Sequence, residues 1–285
     1  MTQENALMMQ AEQSLLEQVV RVHDEPYRYY DDWDVHAMLT EDPVAYIDHI
    51  MTRLKQIADG NSEIELPDKL VFDDGDEMSD FRVMPCVIRH PDSVSKTVKI
   101  VGTNGRQKIV PDQITVGKAF ALHPEENYVT AGFAGCLLSS ARTGACVASA
   151  VRLLAERSTR VLIVGAGRVG YYAALYVSAL GNTSHLQFAD TDRSRADRAA
   201  TLLASDFPEI DITVAGADID DSDFDNTDFD IVILATDSRD TIYGDQTSLP
   251  ALTISVGADT HWQHEIANSQ LSRSNIYVDT CDSFN

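Results

Sequence analysis

The stretch VLIVGAGRVGYYAALYVSAL, Val161 to Leu180, decides the fold. Its first four residues are a continuous branched apolar run, the form of a strand buried on both faces. Gly165, Gly167 and Gly170 then stand in the spacing GxGxxG and lead directly into a helical pattern. Each glycine has a physical task in such a turn. The first allows a tight bend, the second lets a diphosphate approach the backbone, and the third lets helix and strand pack closely. Arg168 and Val169 complete the loop, and the helix start offers unpaired N–H groups and a positive dipole end to an anion. A lone GxGxxG is weak evidence; its place between a strand and a helix makes it strong.

Further along the chain, LQFAD (186–190), ITVAG (212–216), IVILATD (231–237), LTISVGAD (252–259) and IYVDT (276–280) are short apolar runs. A helix is expected over 194–204. Strands alternating with helices predict a parallel sheet covered on both faces. The C-terminal part is therefore read as an α/β, Rossmann-type doubly wound domain over residues 158–285. Asp190, closing the second strand, suits an adenosine ribose and repels a 2′-phosphate, which favours NAD. Arg193 and Arg195 stand close enough to meet a phosphate, so NADP stays open. Ala235, Thr236 and Asp237 end one later strand, and Gly257 stands at the end of the next. All border the crevice outside the carboxyl ends of the strands, on the nicotinamide side.

The N-terminal half differs in style. Residues 1–30 read as a helical arm with Leu15, Leu16, Val19 and Val20 as a short apolar stripe. A helix over 41–57 is expected, with Thr40 as its cap and Pro43 in its first turn. From Glu65 to Leu122 the short runs LVF, FRVMPCVI, TVKIVG and QITVG predict an irregular, mostly antiparallel sheet. A buried linker helix is expected from about Ser139 to Glu156. Residues 31–157 thus form an α/β unit of their own.

Composition bounds the partners. Of 285 residues, 45 are Asp or Glu and 22 are Lys or Arg, a formal net charge of -23. Such a surface repels phosphate backbones and anionic lipid, arguing against nucleic-acid and membrane roles. The N-terminus has no basic region followed by an apolar one, and no run reaches membrane-span length, so a cytoplasmic protein is expected. The four cysteines lack metal or redox spacing. His261 and His264 stand three apart without further ligands, so no metal is expected. The acidic run DIDDSDFDNTDFD at 218–230 reads as a solvated loop and helix edge.

At this point the chain resembles the ornithine cyclodeaminase and mu-crystallin family. The resemblance rests on FRVMP (81–85), VKIVG (98–102), SSARTGA (139–145), VLIVGAGRVG (161–170) and VGAD (256–259), in that order from Trp33 to Asp282. It implies a homodimer, an N-terminal substrate-binding and dimerisation domain, NAD as cofactor, and a small amino, imino or 2-oxo acid as substrate. Arg142 looks like the arginine that clamps the substrate carboxylate, its planar fork matching that group. Lys99 looks like a strand lysine that contacts substrate and acts in proton transfer. Lys69 falls where many relatives carry a second carboxylate-binding arginine. Met84 and Pro85 are implied as wall residues, and Thr143 as a neighbour of the cofactor. Asp259 looks like the acid/base or electrostatic partner of the substrate nitrogen.

Bland roles stay open for each. Arg142, Lys99 and Lys69 also suit ordinary salt bridges, and Asp259 is a good cap for a following helix. Two departures from the family pattern bear on activity. Arg82 stands where true cyclodeaminases carry a glutamate, which counts against ring closure with ammonia loss. Relatives also continue beyond the VDT strand with helices that return to the first domain, a segment expected to steady the hinge. The reading is an NAD(H)-dependent amino-acid dehydrogenase or imine reductase. The alternatives are a cyclodeaminase-type lyase and a non-enzymatic, crystallin-like nucleotide-binding protein.

Overall fold

The computed structural model describes residues 3–20, 25–76, 79–110, 113–215, 228–238, 240–244, 249–257 and 264–278. The decisive stretch forms β8 (Arg160–Val164) followed by α5 (Arg168–Ala179). β8 is the middle of a five-stranded sheet in which every pairing is parallel. Its order is β10 (Asp211–Val214), β9 (His185–Ala189), β8, β11 (Ile231–Leu234) and β12 (Leu252–Ser255). The strand order reverses at β8, whose neighbours are β9 on one side and β11 on the other. That is the switch point at which doubly wound sheets open a crevice.

The apolar runs fill both sides of this sheet, as a pattern without alternation requires. Val161, Ile163, Leu186, Phe188, Ile231 and Ile233 face the larger core with α5 and α6 (Arg193–Asp206). Leu162, Val164, Val232 and Leu234 face a smaller one closed by Tyr243. Burying each such side chain contributes about 1.5–3 kcal/mol. The helix α6 runs from its cap Asp192, whose carboxylate accepts from the Ser194 N–H.

The N-terminal sheet has seven strands, and all but one of its pairings are antiparallel. Its long members are β4 (Ser79–His90), β5 (Ser93–Asn104) and β6 (Thr115–Leu122), beside the shorter β7 (Val129–Ala134). β2 (Glu63–Glu65) and β3 (Leu70–Asp76) both pair with β4. The parallel exception joins β7 to β1 (Arg28–Tyr30), three residues inside the span expected to be a helical arm. The arm itself is α1 (Gln3–Val20), solvent-exposed where its side chains are described.

Three helices tie the two sheets together. α2 (Asp32–Thr40) was not expected; a reciprocal box between Asp31 and Asp34 starts it. Thr40 therefore ends one helix instead of capping the next, and α3 (Pro43–Ala58) is capped by Asp42, with Pro43 at its first position. The linker helix α4 (Gly135–Leu154) begins ahead of the expected Ser139. Gly144 lets it press on α5, since a Cβ there would lie 2.7 Å from the Tyr172 backbone. Tyr172 and Tyr176 are buried at this junction, where Tyr176 donates to the Leu39 carbonyl at 3.1 Å. Tyr172 meets His36 Nδ1 at 3.0 Å.

One expected strand is corrected. Ile276–Val278 carry no strand, and among the described residues the parallel sheet ends at β12; Asp279 and Thr280 lie outside them. Most of the acidic run, 218–227, also lies outside the described residues.

Candidate functional site

The glycine loop has the backbone that its spacing demands. Gly165 sits at φ +96°, a left-handed conformation, and a Cβ on it would collide with the Ala235 carbonyl oxygen. A Cβ on Gly170 would strike the Gly165 carbonyl oxygen, so the third glycine seats α5 against the loop. At Gly167 the situation is opposite: a Cβ would meet nothing within 4 Å. Its missing side chain leaves an open approach to the N-terminus of α5. Gly167 caps that helix without any side-chain hydrogen bond, so the first-turn N–H groups, Val169 and Gly170 among them, face an anion position.

Asp190 stands at the end of β9 beside this loop. One carboxylate oxygen accepts from the Ala166 N–H at 2.7 Å and the other from the Asp192 N–H at 2.8 Å. These bonds orient the group while leaving lone pairs for ribose hydroxyls, since an ionised carboxylate has about four acceptor sites. Arg193 is held by Asp197 at 3.7 Å and the Ala215 carbonyl at 3.3 Å, and Arg195 by Asp192 at 3.5 Å. The donor set therefore fits a dinucleotide: a diphosphate on residues 165–170 and a ribose on Asp190. Arg168 donates to the Thr115 carbonyl at 3.2 Å, fastening the loop to the start of β6.

On the opposite side of the crevice, Ala235, Thr236 and Asp237 follow β11, and Gly257 follows β12. A residue absent from the sequence reading organises them. Glu265 is only 2% exposed. One of its oxygens accepts from Thr236 N–H at 2.9 Å and Thr236 Oγ1 at 2.8 Å. The other accepts from Ser255 Oγ at 2.6 Å and Gly257 N–H at 3.0 Å. One carboxylate thus ties two strand ends together. Gly257 is required here, since a Cβ would collide with the Thr236 carbonyl oxygen and with Glu265. The only sequence signal is an isolated acid just before the uncharged run Ile266–Leu271.

The N-terminal sheet supplies the basic side chains. Met84 and Lys99 are direct cross-strand partners on β4 and β5, so they share a face. The same row continues through Ala119, Phe133 and Tyr30, which lead into the helical core. Pro85 stands in the neighbouring row, opposite Val98. Lys69 is exposed immediately before β3, whose Leu70 pairs with Val83 next to Met84. One step along β4, Arg82 gives Nε and Nη2 to a single Asp80 oxygen at 3.0 and 2.8 Å. Thr103 Oγ1 donates to the other oxygen at 2.9 Å. Partial burial pushes the Asp80 carboxyl up, but these bonds and the Arg82 charge outweigh it and hold the group below its usual range.

Arg142 lies two turns into α4 with its side chain exposed. Its charge reaches the half-buried Tyr46 phenol, which burial and Cys146 push up to about 12 against the pull of Arg142. Thr143 donates to the Ser139 carbonyl at 3.0 Å, one turn back on the same helix. Asp259 and His261 lie outside the described residues.

The ornithine cyclodeaminase/mu-crystallin family pattern matches residues 33–284. Among solved structures, similarity extends to an archaeal alanine dehydrogenase dimer with bound NAD, at 17% identity and a TM-score of 0.70, over 86% of this chain and 72% of that one. The Δ1-pyrroline-2-carboxylate reductase of Thermococcus litoralis, in complex with NADH and L-proline, is similar at 18% identity and a TM-score of 0.74, over 86% and 73%. The iminosuccinate reductase of Paracoccus denitrificans, in complex with NAD+, is similar at 15% identity and a TM-score of 0.70, over 88% and 75%. Among curated proteins none matches. At these identities the structural likeness carries the fold.

Proposed function

From the premise that this chain belongs to the ornithine cyclodeaminase/mu-crystallin family, we propose that it is an NAD(H)-dependent oxidoreductase of a small amino or imino acid, an amino-acid dehydrogenase or imine reductase. The observation that carries the reading is the glycine loop with its open approach at Gly167, next to an oriented Asp190. It faces strand ends that Glu265 holds in place. NAD is favoured over NADP by the Asp190 carboxylate and by the acidic partners that already engage Arg193 and Arg195.

The nicotinamide supplies hydride chemistry when bound. The chain's own residues do the rest. Arg142 and Lys99 hold the substrate carboxylate, Lys69 adds positive charge at the rim, and Met84 forms a wall. Asp259 is assigned the proton at the substrate nitrogen. Arg82, a cation already committed to Asp80, offers no carboxylate for ring closure, which supports net oxidoreduction over a cyclodeaminase.

A homodimer belongs to the same proposal. Leu70, Phe72, Phe81 and Ile100 lie on the outer face of the N-terminal sheet at 56, 48, 46 and 43% exposure, with Phe72 and Phe81 stacked at 4.5 Å. Contiguous apolar surface of this kind marks an interface. No helix among the described residues is long and apolar enough to cross a membrane, and a cytoplasmic setting is part of the reading.

The test follows reduced-cofactor absorbance on the full chain, with NADH and NADPH against 2-oxo acids, with and without amines. Alanine and ornithine with NAD and NADP cover the oxidative direction. Net oxidation or reduction upholds the reading. Proline formed from ornithine without net cofactor change would replace it with the cyclodeaminase. Nucleotide binding without turnover would replace it with the binding protein.

A further inference from the structure

Arg168 is the first residue of α5, and its charge stands against the local field. The N-terminal end of a helix carries partial positive charge, which favours an acid there and disfavours a cation. The first turn of α5 holds no acid, and Gly167 supplies no side-chain cap. Among the described residues Arg168 has no carboxylate partner; its hydrogen bond goes to a neutral group, the Thr115 carbonyl, at 3.2 Å. That bond uses one of five guanidinium N–H donors. Asp190, the acid beside the loop, is turned to the Ala166 and Asp192 N–H groups instead. In a chain of net charge -23, a cation without an acid therefore stands beside unpaired helix N–H groups and the open approach at Gly167. That combination is complete only with an anion in place.

The Thr115 carbonyl is a junction of its own. Thr115 begins β6, and its oxygen also accepts from Cys136 Sγ at 3.3 Å, in the first turn of α4. The start of α4 is pressed on the same strand, since a Cβ on Gly135 would lie 2.8 Å from the Lys118 backbone. Glycine loop, linker helix and substrate-binding sheet thus meet at one backbone oxygen. Four residues along β6, Ala119 stands opposite Lys99 of β5.

We propose that Arg168 is a positioning residue that grips the cofactor diphosphate and the substrate-binding sheet at once, so that cofactor binding fixes β6 against the glycine loop. The inference rests on the dinucleotide reading above. Without the diphosphate, one bond from a half-buried, flexible side chain to a neutral carbonyl holds the two domains loosely. With it, the charged contact orders the guanidinium, and the Thr115 bond forms without a further loss of side-chain freedom. A planar fork can serve an anion on one edge and a carbonyl on another, which a lysine ammonium does poorly. Fixing β6 sets the substrate row against the nicotinamide, where reaction depends on close placement of the reacting atoms.

The test uses the full-length protein and ADP-ribose, which carries the diphosphate but no nicotinamide and cannot turn over. Calorimetry reads its affinity, and hydrogen exchange followed by mass spectrometry reads the start of β6. ADP-ribose is expected to slow exchange there in the unmutated protein. A purely structural tie would protect β6 equally with and without the ligand, and that result would overturn the proposal whatever any variant does. Arg168→Gln is expected to weaken ADP-ribose roughly ten- to a hundredfold, the worth of one charge-assisted contact. At saturating ADP-ribose its β6 is expected to exchange as in the free protein. Arg168→Lys is expected to recover most of the affinity but not the slowed exchange. An Arg168→Gln protein with affinity within about twofold, or with β6 slowed as in the unmutated protein, would also overturn the proposal. Failure of the dinucleotide reading appears separately, as no binding of ADP-ribose to the unmutated protein, and removes this proposal with it.

Discussion

Replacing Glu265 by Gln would remove a formal charge and almost no volume, yet four hydrogen bonds make it a severe change. The carboxylate is an acceptor at both oxygens, and each oxygen takes one backbone N–H and one hydroxyl. A carboxamide has one oxygen and one NH2. If the NH2 points at Gly257 and Ser255, the hydroxyl can rotate to accept, but the Gly257 N–H is stranded. If it points at Thr236, the Thr236 N–H is stranded instead. Either orientation leaves one buried donor unpaired, at about 1–3 kcal/mol. For a chain of this size each kcal/mol lowers the melting temperature by about 2–4 °C, so a fall of roughly 2–12 °C is expected. Glu265→Ala, which strands both N–H groups and leaves a void, is expected to fall further. Thermal unfolding with and without NADH measures both parts of the argument. The variant is also expected to gain less stability from NADH, because the loosened strand ends border the crevice. A melting temperature within about 1 °C of the unmutated protein, with an undiminished NADH effect, would refute the reasoning.

Gly165→Ala and Gly167→Ala are expected to separate folding from binding. The first forces a side chain into φ +96° against the Ala235 carbonyl and is expected to unfold at lower temperature, whereas the second meets open space and is expected to melt normally while losing NADH affinity. Calorimetry of both variants with and without NADH checks this. Asp80→Asn tests the depressed carboxyl: its folded value lies below the unfolded one, so the stability it contributes is present above the unfolded value and lost as pH falls through the folded one. Unfolding in urea is therefore expected to show a difference between Asp80→Asn and the unmutated protein that is constant above about pH 5 and shrinks towards acid. Tyr176→Phe removes the bond to the buried Leu39 carbonyl and is expected to cost about 1 kcal/mol in the same measurement.

The glycine loop was legible in the sequence because its geometry is local: three glycines, a strand and a helix within Val161–Leu180. The second domain was legible as a sheet but not in detail. β7, with the sequence VTAGFA, has small residues where strands usually carry branched ones, and β1 is three residues long. Both are strands only because the sheet offers them partners. Ile276–Val278 show the converse, an apolar run that reads as a strand and pairs with none among the described residues. Thr40 looked like a cap because the helix before it, started by Asp31 and Asp34, was not recognised. Glu265 was invisible for a different reason: its four donors come from Thr236, Ser255 and Gly257, and only the packing of β11 beside β12 brings them to one carboxylate. Arg82 was noticed only as a missing acid; its bond to Asp80 follows from strand alternation once the register is known.

The central claim is that hydride moves in net fashion between a nicotinamide and the α-carbon of a small acid. NADH carrying deuterium at its transferable position, supplied with 2-oxo acids and ammonia or an amine, tests it directly by mass spectrometry of the amino-acid product. The account predicts one deuterium at the α-carbon and a matching amount of NAD. Its contradiction would be no deuterated amino acid from any 2-oxo acid, while ornithine yields proline and ammonia with the reduced cofactor unconsumed.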